Sequence, residues 1–414
     1  MGPSPGPGPS PGLKRFGAVS FFYFAAIGLF NPYAPLWFQS LGFSTLVIGA
    51  IASLQSWTRV LAPYAWSWAG DHGGRRVELI RLAALGSLLA ALGLLVMGSS
   101  EGTERQDLVV AVAVMTTLIF VANSGVVPLY EAVLAHVLAT PDGGIDARRY
   151  GRVRVWGSVG FIVAVTSFGL LLERFGIRVF PWFVGAMNAL LLLAAMRLPA
   201  TREDAVHDEP APPVLPLLKK PEVAWFFASI FFTVLAHTSL YAFFSLYLVD
   251  LGYGKGAVGL LWAVSVLVEI AFFWTQGRWF PRLTPHTWLQ VVALVTALRF
   301  VATAAGGAWA PVLVLAQLTH AITFAAHHAA CISLVQKLFP GRLRGRGQAL
   351  YTTLGYGFSG VLGGVGGGWV ISRFGFATVF WAAALSGLLA WWCARRSERA
   401  GTEKEGPMDL DQGG

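Results

Sequence analysis

Charge is scarce in this chain. Of its 414 residues only 12% are Asp, Glu, Lys or Arg, against about 25% in an ordinary soluble domain. Hydrophobic residues make up 55%, and the mean hydropathy is +0.61. Together these exclude a soluble globular protein and leave a polytopic membrane protein. Cysteine is nearly absent too. Cys331 and Cys393 lie in or at the end of apolar segments, which gives no disulfide framework and no cysteine metal site. No Gly-x-x-x-x-Gly-Lys-Ser/Thr loop occurs, so ATP-driven chemistry is not expected. Residues 1–12 are mostly Pro, Gly and Ser, a composition that does not fold. The apolar run after them is too long for a signal-peptide core and reads as a first span.

What the sequence has in abundance is long apolar runs. A helix needs about 20 such residues to cross a bilayer. Twelve candidates run approximately over 16–38, 44–68, 77–98, 108–136, 151–172, 176–196, 222–248, 257–276, 286–305, 311–336, 349–371 and 375–394. The longest polar interruption, Leu198 to Pro221, holds Glu203, Asp204, Asp208, Glu209 and prolines 210, 212, 213 and 216. It divides six spans from six. The expected fold is therefore all-α, with twelve transmembrane helices in two six-helix bundles, the plan of a transporter built from repeats. The bundles are expected over 15–198 and 222–395. A linker over 199–221 joins them, and disordered tails cover 1–14 and 396–414. A short amphipathic helix around Val214 to Lys220 is compatible with this plan but not required by it.

The basic residues alternate along the loops. Lys14 and Arg15, then Arg75, Arg76 and Arg81, then Arg148, Arg149 and Arg152, and so on to Arg395 and Arg396, occupy one set. The other set is short and poor in bases. Cytoplasmic loops carry the excess of Lys and Arg, which places both termini in the cytoplasm. The net charge of +9 is thus a topology signal rather than a nucleic-acid face, which would need one contiguous patch. Proline at 32, 35, 63 and 128 falls inside spans. There it kinks a helix and is tolerated where a neighbour or a cavity takes the freed carbonyl. Gly355, Gly357, Gly360, Gly363, Gly364, Gly366, Gly367 and Gly368 crowd the eleventh span. They serve close helix packing, or let the helix bend and slide.

Charged residues inside hydrocarbon are expensive and face partners or water. Glu131 sits inside the fourth span, towards its end, and Arg154 just inside the fifth. Counted from the loop they share, they lie at equal depth, which makes them a facing pair. Two readings stand: solute binding, or a structural salt bridge. Asn31, Gln55, Tyr23 and Trp156 are candidate neighbours on a cavity wall. In the second half, Glu269, Arg299 and His320 all fall at mid-membrane, with His237 in the seventh span and His327 in the tenth. Glu269 offers charge compensation to Arg299, and histidine exchanges protons near physiological pH. The set reads as a proton relay, or alternatively as a static ion pair. His320 and His327 are seven apart and share a face of a regular helix, whereas His328 points elsewhere. No metal site is expected, since adjacent His327 and His328 diverge, and no cofactor is expected. Asp71, Arg75 and Arg76 close the second span as a conformational latch or as a topology marker.

Ser67-Trp-Ala-Gly-Asp71-His-Gly-Gly74-Arg75-Arg76 resembles the loop-two signature of the major facilitator superfamily, with Ser67 at its first glycine. Phe21-Phe-Tyr-Phe-Ala-Ala-Ile-Gly-Leu-Phe-Asn-Pro-Tyr-Ala-Pro-Leu-Trp37, Pro128-Leu-Tyr-Glu131 and Gly151-Arg-Val-Arg154-Val-Trp-Gly157 resemble the lactose permease and phenylpropionate permease branch. The resemblance implies that Glu131 and Arg154 bind solute, that Glu269 serves both binding and coupling, and that Arg299 and His320 belong to a coupling network. Two positions depart from that pattern: Thr323 stands where the branch's proton-carrying glutamate would be, and His237 where an aspartate would be.

The implied function is proton-coupled uptake of a small organic solute by alternating access. An aromatic acid is expected if Arg154 meets a carboxylate, and a sugar or nucleoside if the pair shares hydroxyls. Proton-driven efflux of a drug or metabolite, a sensor or lipid-handling protein, and a membrane enzyme are the alternatives. The expected partners are solute, protons and membrane lipid, with no nucleic acid. The expected setting is a bacterial plasma membrane, with the protein working as a monomer.

Overall fold

A computed structural model describes residues 12–98, 105–140, 145–199 and 214–402. Most of the two tails and of the linker, including Glu203, Asp204, Asp208 and Glu209, lies outside the described residues. The first half contains α1 (Leu13–Ser40), α2 (Thr45–Gly73), α3 (Arg76–Gly98), α4 (Arg105–Val137), α5 (Ala147–Phe175) and α6 (Phe180–Met196). The one-turn helix α7 (Leu215–Leu218) then precedes α8 (Pro221–Asp250), α9 (Lys255–Trp279) and α10 (Pro285–Gly306). The tenth span is broken into α11 (Ala310–Leu318), a π-helical turn over Ala321–Ala326 and α12 (His327–Leu338). The eleventh is α13 (Arg344–Leu350), a π-helical stretch over Tyr351–Phe358 and α14 (Ser359–Phe374), followed by α15 (Phe376–Thr402). Among the described residues, eleven helices are long and apolar enough to cross a membrane. The glycine-rich eleventh span completes the expected set.

The helices outrun the apolar runs that announce them. α15 continues to Thr402, past Arg396 where the sequence places the start of a tail. Its last turns are tied to α8 and α10: Ser397 Oγ donates to the Glu222 carbonyl at 2.8 Å, and Gln290 Nε2 donates to Glu398 Oε2 at 2.6 Å. α1 passes unbroken through Pro32 and Pro35, as α2 and α4 do through Pro63 and Pro128.

The chain forms two compact units. Among the described residues, the first comprises those within 12–43, 58–199 and 252–263, and the second those within 44–57, 214–251 and 264–402. α2 and α9 are thus each divided between the units. In the first unit, α1 lies along α5 because glycines open the way. A Cβ at Gly160 would run into the backbone carbonyl of Phe21, and one at Gly28 would sit 2.8 Å from that of Phe161. Lipid offers no hydrophobic drive between helices, so such close packing and buried hydrogen bonds hold them together. Ser87 Oγ donates to Asn188 Oδ1 at 2.6 Å between α3 and α6. Tyr130 Oη donates to the Phe16 carbonyl at 3.0 Å between α4 and α1.

The second unit has its own apolar core of Phe226, Ile230, Phe272, Trp288, Leu334 and Phe339. The glycine run of α14 here presents two faces. Gly360, Gly364 and Gly368 meet Ser56, Gly49 and Thr45 of α2, and Gly363 and Gly367 meet Thr238 and Phe243 of α8. Thr45 Oγ1 donates to the Gly368 carbonyl at 3.0 Å, and Ser53 Oγ to that of Val361 at 3.1 Å. Close packing is what most of these glycines do, while the widened π turn just before them leaves the helix locally irregular.

Candidate functional site

In the first unit, the loop between α4 and α5 fixes how deep each charged residue sits. Ala139 and Ile145 form an isolated antiparallel bridge, and Asp146 caps α5 by accepting from the Arg149 amide at 3.0 Å. Glu131 and Arg154 each stand eight residues from an end of that closure, about 12 Å along their helices at 1.5 Å per residue. Arg154 Nε lies 3.8 Å from Glu131 Oε1, with the side chains 41% and 30% exposed. At that distance the contact is an ion pair without a tight hydrogen bond. The guanidinium rests over the Phe24 ring, 4.5 Å from its centroid. Gly157, one turn on, leaves that space free, since a Cβ there would lie 2.9 Å from Arg154 Nη1. The arrangement leaves donors and an acid oxygen able to engage a solute hydroxyl or carboxylate.

The neighbours are only partly assembled around this pair. Tyr23 is adjacent to Phe24 on α1 and its hydroxyl donates to the Asn123 carbonyl at 3.4 Å. Trp156 is two residues from Arg154, so it leaves α5 on a different face. It packs against Gly17 and edge-on to Phe21, half-exposed. Asn31 is half-buried about two turns along α1 from Phe24. Gln55 lies in the part of α2 that belongs to the second unit. Asp71 accepts from Arg76 Nη2 at 2.7 Å across the turn at Gly74, while Arg75 pairs with Glu78 at 3.6 Å on the surface. The Asp71 pair therefore staples α2 to the start of α3.

The second unit holds a buried polar cluster built on α8, α9, α10 and the broken tenth span. Arg299 is 2% exposed. Its guanidinium donates to three groups that carry no negative charge. Nη1 donates to Thr323 Oγ1 at 2.8 Å and to His320 Nδ1 at 3.0 Å, and Nη2 donates to Gln317 Oε1 at 2.5 Å. Ser265 of α9 donates to the same Gln317 oxygen at 2.9 Å. Thr323 thus bonds Arg299 from the position where the resemblance places a carboxylate. Glu269 stands one turn along α9 from Ser265, half-buried. His237 of α8 lies beside His320, ring centroids 6.4 Å apart. The π turn after His320 alters the angular spacing that a regular helix would give. His327 Nε2 lies 3.4 Å from Cys331 Sγ, one turn on in α12.

Gln317 and Ser265 were not legible as members of this cluster. They carry no charge, and their only signal is placement: Gln317 is three residues before His320, and Ser265 four before Glu269, each on the same helix face.

Residues 13–382 match the MFS_1 like family. The chain is 27% identical over 379 residues to a probable 3-phenylpropionic acid transporter of Escherichia coli strain K12, covering 91% of this chain and 96% of that protein. It is 30% identical over 409 residues to the maltose permease of Geobacillus stearothermophilus, covering 94% and 96%. Among solved structures, a point mutant of the nucleoside transporter NupG superposes with a TM-score of 0.79 at 17% identity, over 93% of this chain and 99% of that one. A bacterial homologue of the lysosomal transporter Spinster, inward-facing and occupied, gives 0.68 at 13% identity, over 95% and 98%. At those identities the structures speak for the fold alone. With the family match spanning nearly the whole chain, this multi-pass membrane protein belongs to the MFS_1 like family and is a transporter of the major facilitator type.

Proposed function

We propose that the protein is a proton-coupled symporter that takes up a small organic solute by alternating access, with an aromatic carboxylic acid as the first candidate. The observation that carries this reading is the loose, partly accessible Glu131–Arg154 pair at 3.8 Å. A pair kept only for structure gains little from remaining open, because exposed ion pairs are worth about 0–1 kcal/mol. A pair that must release its partner for a solute needs this openness. Arg154 over Phe24 offers a cation and an aromatic face together, which suits a ring that bears a carboxylate. The 27% relative with a phenylpropionic acid name points the same way. In this reading Arg299, His320, His237, His327 and Glu269 handle the proton, and the Asp71–Arg76 turn serves as a latch. The protein works as a monomer in a bacterial plasma membrane with both termini cytoplasmic.

A second reading, a sugar symporter, has the 30% identity to a maltose permease in its favour. Glu131 and Arg154 would then share hydroxyl groups instead of one carboxylate.

The test is a pH-electrode recording on purified protein in sealed liposomes, challenged in turn with 3-phenylpropionate, maltose and a nucleoside. Protein-free liposomes correct for passive entry of the protonated acid. Outer alkalinisation with one class above that control identifies both symport and solute class. Alkalinisation with maltose alone would replace the aromatic-acid reading. Bound solute without proton movement would overturn coupling.

A further inference from the structure

The two histidines of the Arg299 cluster are not equivalent, and their hydrogen bonds fix which ring nitrogen of each is bare. A guanidinium only donates. His320 Nδ1, 3.0 Å from Arg299 Nη1, therefore accepts. The ring is neutral with its proton on Nε2, and its one basic nitrogen is already occupied. His237 is the opposite case. A carbonyl only accepts, so His237 Nδ1, 2.8 Å from the Thr233 carbonyl, carries the proton. Its Nε2 is then a bare lone pair. That atom is buried without a hydrogen-bond partner, in a side chain 4% exposed. An unfilled acceptor in a membrane interior costs free energy, and this lone pair is open to a proton whose charge a further group must then offset.

We propose that the cluster takes up its proton on His237 Nε2, and that His320 is held neutral as an acceptor for Arg299. For transport, this assignment rests on the proton-coupled reading above. The surroundings of His237 explain why the step is conditional. From α10 it faces Arg299 and, edge-on, Phe300 at 5.6 Å between ring centroids. From the broken tenth span it faces His320 and, within electrostatic reach, His327. On its own helix it faces Tyr241, at 6.4 Å between ring centroids. The three groups that Arg299 donates to, Gln317, Thr323 and His320, carry no negative charge, so an imidazolium at His237 adds a second positive charge beside it. An anion entering the cluster would offset that charge. By linkage, protonation and anion binding then strengthen each other. The residue that stands where the branch has an aspartate is thereby the one that titrates, while the threonine in place of the branch's glutamate is used up in binding Arg299.

The test is side-chain nitrogen NMR on the full chain labelled with 15N-histidine, in detergent, from neutral pH downward. The eight histidines are resolved by comparison with His237→Gln and His320→Gln. His237→Asn serves for assignment should the longer amide unfold the protein. At neutral pH, His237 is expected to show a protonated Nδ1 and a bare Nε2, and His320 the reverse. On acidification His237 gains its second N–H first. A His237 ring protonated on Nε2 at neutral pH, His320 titrating first, or neither ring protonating before the fold is lost would each overturn the assignment. In parallel, an inward proton gradient should drive labelled 3-phenylpropionate or maltose into liposomes carrying the wild type, and at least tenfold less with His237→Gln. A wild type that moves neither probe with protons sinks the coupling reading, and the NMR tautomers still decide the proton's position.

Discussion

Arg299 is the costliest side chain in the second unit to bury, and its environment shows how the cost is met. Three oxygen or nitrogen acceptors are arrayed around one planar fork, two at Nη1 and one at Nη2. A lysine carries the same charge but lacks that fork. Arg299→Lys should leave at least one of Gln317, Thr323 or His320 unsatisfied, costing about 1–3 kcal/mol per group. Thermal unfolding in detergent should shift down accordingly; an unchanged midpoint would mean the fork geometry contributes nothing to stability. The Glu131–Arg154 pair is different in kind. It is more than a quarter exposed on both sides, so breaking it should cost at most about 1 kcal/mol. Glu131→Gln should therefore keep the wild-type unfolding midpoint and raise the half-saturating solute concentration at least tenfold. The reverse outcome, lost stability with unchanged affinity, would make the pair structural.

At the scale of the element, the glycine run of α14 gives a prediction that composition alone does not. A Cβ at Gly364 would run into the Gly49 carbonyl of α2 and the Ser53 hydroxyl, whereas one at Gly366 meets nothing within 4 Å. Gly364→Ala should lower stability by about 1–3 kcal/mol through overpacking. Gly366→Ala should be neutral or slightly stabilising, because alanine favours helix by about 1 kcal/mol over glycine. Equal unfolding midpoints for the two variants would refute this assignment of faces. This contrast also marks what was legible in the sequence. The spans were, because bilayer thickness sets their length and apolar residues fill it. The equal depth of Glu131 and Arg154 was, because both are counted from one short loop. The partners of each α14 glycine were not, since they depend on which helices happen to flank it. The π turns at 321–326 and 351–358 were not, because widened turns are set by tertiary packing and leave no periodicity to read. Gln317 escaped notice because a neutral amide in a span carries no charge to explain.

For the whole molecule, the distribution of charge makes a statement about orientation. Arginines crowd the ends of the spans on one side, as at Arg148 and Arg149 in the first turn of α5, while the turn from Asp250 to Gly254 has no arginine or lysine. If loop basicity sets orientation, Ala147 faces the cytoplasm and Asp250 the outside. The chain is suited to a direct test because its two native cysteines are buried, Cys331 fully and Cys393 at 1% exposure, so they contribute little background. Both Ala147 and Asp250 are exposed positions at helix ends, where a single cysteine should not disturb packing. A membrane-impermeant maleimide should label Asp250→Cys in intact bacterial cells and Ala147→Cys only after permeabilisation. The opposite pattern would invert the molecule and place the loop between α4 and α5 outside. The Glu131–Arg154 pair, about 12 Å along its helices from that loop, would then be reached from the outer side rather than from the cytoplasm.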